Sequence, residues 1–330
     1  MDKMHKNILV TGGAGYIGSQ ISHDLIDRGF NVTVIDNLST GNKILIPRKA
    51  GFIRCDIANI KSIADTIRIR KINTVIHCAA FISVEESMKK KEKYILNNYI
   101  KTKTFINCCI KNNVKQFIFS STAAVYKENA NKKIKENYPK IPNNVYGNTK
   151  LLCENFLLSK RNIKLFILRY FNVAGADQKL RTGPIIKSKT THLIKKIVQV
   201  SLGKIDKIEI FGNSYNTPDG TAIRDYIHVS DLSQIHLKCL HYFKKNKNFK
   251  KTILNCGYGV GYSVLEVVQS AQQLVKFKFN YSKKRAGDLS MLVANNEKLC
   301  RLFKWKLKKQ KVSSLIKSAI RWQKHYEKKN

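Results

Sequence analysis

Acid is scarce in this chain. Asp and Glu together number 22 against 61 Lys and Arg, so the 330 residues carry a formal net charge of +39. Such an excess ordinarily raises nucleic acid or anionic membranes as partners. Here the lysines run through the whole chain and accompany abundant Asn and Ile. All three have AT-rich codons, so a biased genome accounts for the composition without a polyanionic partner, and no nucleic acid is expected. Two denser runs, Lys244–Lys251 and Lys304–Lys309, read as a solvated loop and a solvated terminal helix face. Apolar runs are short: none approaches the ~20 residues of a membrane span, and no hydrophobic secretory segment follows the first residues. The expected setting is the cytosol, with no membrane partner. The eight cysteines include no Cys-x-x-Cys, and several sit in apolar surroundings. Buried reduced thiols are expected rather than disulfides or zinc, and the histidines lack metal-ligand spacing, so no metal is expected.

What is present is a core-forming chain, 43% apolar, long enough for one large domain or two ordinary ones. Short apolar runs suited to buried strands occur at Asn7–Val10, Asn31–Ile35, Phe52–Arg54, Thr74–His77, Gln116–Ser120 and Lys164–Arg169. Helical patterns fall between them, at Ile17–Arg28, Ile60–Arg70, Lys91–Asn112 and Asn144–Ser159. Alternation of this kind predicts an α/β fold, a doubly wound parallel sheet of Rossmann type. After Phe171 the pattern loosens. A loop is expected over Gly175–Ser188, helices over Thr191–Leu202, Ser230–Phe243, Val264–Leu274 and Val312–Tyr326, and strands over Ile208–Gly212 and Arg224–Val229. The expected division is a dinucleotide-binding domain over 1–172 and a smaller, discontinuous substrate domain over 173–330, with about 225–245 returning to the first.

Chemistry concentrates in a few places. Gly12, Gly15 and Gly18 follow the first strand and open a helix, a spacing that lets a backbone approach a pyrophosphate at a helix start. Asp36 ends the second strand, where a carboxylate accepts from ribose hydroxyls and repels a 2′-phosphate; the expected cofactor is NAD rather than NADP. Asp56 follows the third strand, near the adenine or as a helix cap. Ala79 and Ala80 end the fourth strand and are small enough for close cofactor approach, while His77 reads as a packed strand-end histidine. Thr122 ends the fifth and is a candidate to hydrogen-bond a reacting hydroxyl. Tyr146 and Lys150 share one helix face. A free phenol, with a pKa of ~10, is a poor base at neutral pH. A nearby ammonium and a cationic nicotinamide favour its phenolate.

With these residues in place, the chain resembles the extended short-chain dehydrogenase/reductase superfamily, and within it the UDP-glucose 4-epimerase (UDP-galactose 4-epimerase) family. The similar segments include Thr11–Gly18, 36–41, His77–Ser87, Asn97-Asn98, Phe119–Tyr126, Tyr146–Lys150, Leu168–Gly175, 210–213 and, most specifically, Asp219–Asp231. The resemblance implies NAD contacts from Tyr16, Ile17, Asn37, Ile57, Asn98, Ser120 and Phe171 beside those above. It implies a UDP-hexose held by Asn172, Thr191, His192, Leu193, Arg224, Arg285 and Asp288, with room at the sugar C2 set at Leu292. It implies Tyr146, Lys150 and Thr122 as the catalytic set for reversible 4-epimerisation through a bound 4-keto sugar, and a homodimer built from the helices at Lys91–Asn112 and Asn144–Ser159.

Three positions depart from that family's pattern: Val145 for a proline, Glu85 for a glycine, and Ala286 for a proline. The same residues bear on other activities. A nucleotide-sugar 4,6-dehydratase carries an Asp-Glu after the threonine, and a decarboxylating relative a glutamate; here Ala123-Ala124 follows Thr122. A 4-epimerase of UDP-N-acetylglucosamine or UDP-glucuronate stays open. A simple sugar dehydrogenase leaves the UDP-binding segments unexplained, and an idle NAD- or RNA-binding relative leaves Thr122, Tyr146 and Lys150 unexplained.

Overall fold

The computed structural model describes residues 6–127, 132–186, 192–285 and 288–329. In chain order the strands are β1 (Asn7–Thr11), β2 (Asn31–Asp36), β3 (Gly51–Arg54), β4 (Thr74–His77), β5 (Gln116–Thr122), β6 (Lys164–Tyr170), β7 (Asn172–Ala174), β8 (Lys207–Phe211), β9 (Ile223–His228), β10 (Lys251–Cys256), β11 (Gly261–Ser263), β12 (Lys278–Ser282) and β13 (Met291–Leu292). The helices are α1 (Tyr16–Asp27), α2 (Ile60–Ile69), α3 (Val84–Lys89), α4 (Lys91–Tyr94), α5 (Lys101–Lys111), α6 (Val145–Ser159), α7 (Leu193–Ser201), α8 (Val229–Lys245), α9 (Val264–Gln272), α10 (Glu297–Phe303) and α11 (Val312–Lys329). Residues group into two compact units: Met1–Lys127, Pro139–Tyr170 and Ser233–Leu254 in one, Glu128–Tyr138, Phe171–Leu232 and Asn255–Asn330 in the other.

The first unit is built on a seven-stranded sheet in the order β10-β6-β5-β4-β1-β2-β3. Its strands pair parallel from β6 to β3. β10 extends the same direction, since Leu165 N–H donates to Lys250 O at one end and Phe171 N–H to Cys256 O at the other. Strand order reverses between β1 and β4, the position at which doubly wound sheets bind dinucleotides. Leu9, Val75, Phe117, Phe119, Leu165 and Ile167 of the sheet pack with Ile63 and Ile67 of α2, Phe105 and Ile106 of α5, and Leu157 of α6. None of the eight cysteines is joined in a disulfide.

The segment expected as one helix over Lys91–Asn112 is continuous but not uniform. It widens to a π-helix over Ile95–Ile100 between α4 and α5. π-turns inside helices re-aim side chains; here Asn98, 2% exposed, donates from Nδ2 to Phe81 O at 2.8 Å and accepts from Phe81 N at 2.9 Å.

The first lysine run is largely the expected solvated loop, irregular over 246–250 with Lys244, Lys245, Lys247 and Lys250 exposed, while the second departs from expectation. Lys244–Lys251 contains the end of α8, a turn and the first residue of β10. Phe249 in that turn stacks on Phe166 at 4.7 Å and meets Tyr242 and Phe243, an apolar anchor that outweighs the local charge. Lys304–Lys309 is not a helix face. Lys304 caps α10 in the left-handed conformation (φ +45), the chain stays irregular to α11, and Leu307 is buried.

In the second unit β9 is central, pairing with β7, β11 and β13, while β8 and β12 form a separate parallel pair. Its core joins Ile194, Ile197 and Val198 of α7, Val267 and Val268 of α9, and Leu315, Ile316 and Ala319 of α11. Buried Asp225 ties it together, accepting from Tyr258 N, Gly259 N and Ala294 N at 2.8–3.2 Å.

α6 begins with Asn144 as N-cap, its side chain accepting from Gly147 N at 2.7 Å. Val145 therefore occupies the first helical position, where a backbone N–H has no helical partner and proline is favoured. Asn144 already has the extended backbone (φ −145, ψ 157) that a following proline requires. Val145→Pro is expected to raise unfolding free energy by about 0.4–1 kcal/mol, read from urea denaturation, because it restricts the unfolded chain without straining the folded one.

Candidate functional site

The carboxyl ends of β1 to β5 and the turns after them hold many of the expected cofactor residues, while Asn98, Tyr146, Lys150 and Phe171 lie on other elements. Gly12 leaves β1 with φ +68, and a Cβ there would lie 2.7 Å from Ala79 N. Only glycine permits both the conformation and that approach. At Gly18 an added Cβ would lie 2.3 Å from Gly12 O, so α1 starts hard against the turn. Gly15 is the N-cap of α1 and no side-chain oxygen caps the helix. Tyr16 and Ile17 supply the first helical positions, where backbone N–H groups attract an anion.

Asp36 is buried at the end of β2, with Ala14 N–H at 3.0 Å on one carboxylate oxygen and Leu38 N–H at 2.8 Å on the other. Burial raises its pKa, and those two N–H donors offset part of the rise. Asn37 donates to Asp56 Oδ2 at 3.1 Å, and Lys101 donates to the same oxygen at 2.7 Å. Burial alone would raise Asp56, but Lys101, Ala58 N–H and Asn37 together hold it below the usual carboxylate range. The alternative of Asp56 as helix cap is corrected: Asn59 caps α2, accepting from Ser62 N at 3.1 Å. Ile57 is buried beside it, and Ala79 and Ala80 are half-buried.

His77 is a packed neutral histidine. Its Nδ1 lies 2.8 Å from Thr11 Oγ1, its Nε2 3.3 Å from Thr102 Oγ1, and the ring stacks between Phe105 and Phe119. Burial, then the Lys150 ammonium, pushes its pKa down to about 3. Ser120 spends its hydroxyl inside the protein, at 2.7 Å from Tyr170 OH and 3.2 Å from Cys78 Sγ. Asn98 likewise directs its amide to the Phe81 backbone.

Thr122, Tyr146 and Lys150 converge. Thr122 ends β5 and its hydroxyl accepts from Ala124 N at 3.1 Å. The next residues, Ala123–Val125, form a 3₁₀ turn on which α6 rests, so closely that a Cβ on Gly147 would lie 2.3 Å from Ala124 O. Ser87 of α3 accepts the Tyr146 backbone N–H at 3.1 Å. Burial pushes the Tyr146 phenol up to about 12, against the pull of a hydrogen bond with Thr122. Lys150, 3% exposed, sits 4.4 Å over the Phe119 ring. Burial lowers its pKa, opposed by Cys153, Cys78 and Glu154. Burial thus disfavours the charged form of both side chains, one helical turn apart on α6.

Sequence reasoning missed the group that anchors this helix. Glu154 and Arg169, 1% and 0% exposed, form a bidentate ion pair with Nε–Oε1 at 3.0 Å and Nη2–Oε2 at 2.5 Å. Ser121 of β5 donates to Glu154 Oε1 at 2.5 Å, and Arg169 Nη1 donates to Tyr126 OH at 2.8 Å. The signal was present: Glu154 lies one turn beyond Lys150, and Arg169 is a charge inside an apolar strand. Ser87 carried no comparable signal. The departure at Glu85 resolves simply: it is exposed in the first turn of α3 and pairs with Lys89 at 2.8 Å.

The residues expected to hold a UDP-hexose lie in the second unit. Asn172 opens β7, and Phe171, expected instead as an NAD contact, is buried just before it. His192 is the exposed N-cap of α7, Leu193 its first residue, and Thr191 lies outside the described residues. Arg224 donates to Asp288 Oδ1 at 2.8 Å, and Leu292 pairs in register with Arg224 on β13. Arg285 stacks 3.8 Å over Phe211. Among the described residues no metal-ligating cluster exists and no helix is long and apolar enough to cross a membrane.

Sheet order, glycine turn and Tyr-Lys helix define an NAD-binding protein of short-chain dehydrogenase/reductase type. Comparison narrows the class. A sequence model described as the NAD dependent epimerase/dehydratase family matches residues 8–257, and the chain belongs to that family. A UDP-glucose 4-epimerase of Streptococcus mutans is 39% identical over 97% of this chain and 98% of its own. A UDP-glucose 4-epimerase of Stenotrophomonas maltophila, solved with bound NAD and formylated UDP-arabinopyranose, superposes with a TM-score of 0.94 at 29% identity, covering 99% of this chain and all of its own (100%). The UDP-Glc/GlcNAc 4-epimerase of Campylobacter jejuni gives 0.82 at 38% identity, over 97% and 99% of the two chains. NAD is the cofactor, and the glycine turn, the uncapped α1 and Asp36 fit it.

His77 yields a pH test. Its folded pKa lies below the unfolded value, so its contribution to stability is full above about 6.5 and is lost as pH falls toward 3. Between pH 6 and 4, unfolding free energy should fall about 1.4 kcal/mol per pH unit more steeply in the native protein than in His77→Asn, read from urea melts.

Proposed function

We propose that the chain interconverts UDP-glucose and UDP-galactose by oxidising and re-reducing C4 of the bound hexose. The observation that carries this reading is the convergence of Thr122, Tyr146 and Lys150 on the elements that follow an NAD-fitted sheet edge. NAD, when bound, supplies hydride acceptance and return. Tyr146 takes the 4-hydroxyl proton and gives it back, Thr122 orients that hydroxyl, and Lys150 favours the phenolate. A 4-keto sugar held through its UDP presents either face to reduction. Ala123, 1% exposed, and Ala124 supply no acid or base for dehydration or decarboxylation.

In this reading the first unit is the NAD-binding domain and the second holds the UDP-hexose. Arg224 and Arg285 suit the diphosphate, since a guanidinium pairs with two oxygens, and Asp288 orients Arg224. Leu292 leaves open an N-acetylated hexose, which the Campylobacter relative's name includes. The same reading has two copies associating through Ile95, Leu96 and Ile100 of the π segment with Leu158 of α6, all exposed in the single chain.

The test is turnover of UDP-galactose without added NAD, with UDP-glucose separated from it, and UDP-N-acetylgalactosamine run alongside. Conversion is expected. No conversion, even with NAD supplied, would exclude both sugars' common reading. Tyr146→Phe is expected to lower kcat by at least 10²-fold while NAD and UDP still bind; unchanged turnover would remove Tyr146 from the mechanism.

A further inference from the structure

We infer that the buried Glu154–Arg169 pair is a positioning device that sets the pH at which Tyr146 works, and not only a brace for the fold. The inference rests on the function proposed above and concerns residues that touch neither cofactor nor substrate.

The geometry carries it. Glu154 lies on α6 one turn after Lys150 and two turns after Tyr146. Its carboxylate is fixed by Arg169 of β6 and by Ser121, the residue next to Thr122 on β5. One buried group is thereby tied to the strand that presents Thr122 and to the helix that presents Tyr146 and Lys150. Carboxylate and guanidinium meet there almost without solvent to screen them, and their charges act on the site with opposite signs.

Other titratable and charged groups face α6. On β4 these are His77 and Cys78, whose thiol burial pushes up to about 11. On α6 itself Cys153 donates to Asn98 O at 3.1 Å, and burial, with Lys150 and Glu154 opposing each other, pushes its thiol up to about 12. Tyr126 and Tyr170 adjoin the pair and Ser120, and burial with the Glu86 carboxylate holds Tyr94 of α4 protonated. On α3, Glu85 and Glu86 are paired with Lys89 and with Lys93. Lys103 of α5, 5.6 Å over the Phe156 ring, and Lys251 of β10, donating to Leu158 O, also face α6, near the end away from Tyr146. Beside Lys150, the net charge of the Glu154–Arg169 pair is the variable that mutation can reverse.

The prediction is one of sign. Glu154→Gln leaves the Arg169 cation, favours the Tyr146 phenolate, and should move the acid limb of the kcat–pH profile down by about half a unit to one unit. Arg169→Met leaves the Glu154 anion and should move it up by a similar amount. Arg169→Lys should restore the native position, and so should the double variant Glu154→Gln/Arg169→Met.

The profile is measured on the NAD-bound protein with UDP-galactose. In parallel, phenolate absorbance near 295 nm is titrated as the difference between each variant and the same variant carrying Tyr146→Phe. Should Arg169→Met fail to fold, Glu154→Gln against the double variant and Arg169→Lys decide the matter. Opposite displacements, cancelling in the double variant, support the inference. Displacements of the same sign, or none in proteins that melt cooperatively, overturn it. If no UDP-hexose turns over, the proposed function has failed, while the absorbance titration still reports whether the pair tunes Tyr146.

Discussion

A buried ion pair is a demanding thing to build around. Removing a carboxylate and a guanidinium from water costs several kcal/mol each, and their attraction offsets this only when the remaining donors and acceptors are also met. Glu154 and Arg169 meet that condition with a two-point contact, the Ser121 hydroxyl and the Tyr126 phenol. Breaking one side strands the other charge, at about 3–5 kcal/mol. The register of β5 and β6 and the rotation of α6 are therefore coupled. A helix turned or slid by one residue would lose the pair together with the placement of Tyr146 and Lys150.

Around that constraint, close packing finishes the site. Gly147 lets α6 rest on the Ala124 carbonyl, and the Asn144 and Ser87 side chains satisfy the first amides of the helix. The backbone that carries the phenol is thus held at three points. Its electrostatics come from burial: the surroundings disfavour charge on Tyr146 and Lys150 alike. In the proposed reaction a phenol in such a pocket is a weak base until positive charge is brought near it, which would couple proton transfer to the presence of a cationic cofactor.

Much of this was legible in the sequence. The buried strands of the first unit read correctly because each is a short apolar run flanked by a helix-period pattern, and the Gly12–Gly18 turn and Asp36 fall where such a sheet binds a dinucleotide. β10 was missed because its apolar residues, Ile253 and Leu254, follow a lysine run that reads as solvent-facing; only Phe249 hints at an anchor. α3 is too short to show a period, and the π-turn at Asn98 is set by the Phe81 backbone, far away in sequence. Lys304–Lys309 misled because lysine favours helices, whereas Lys304 here ends one. The Glu154–Arg169 pair needed two facts together, a helix face and an out-of-place strand charge, and neither alone implies the other.

The central claim is that the hydrogen at the sugar's C4 leaves and returns without meeting water, while Tyr146 handles only the hydroxyl proton. UDP-galactose deuterated at C4, converted in ordinary water by the protein as isolated, tests this directly through the isotope content of the UDP-glucose formed. The account predicts that deuterium stays at C4. Product carrying protium from solvent at C4 would contradict it.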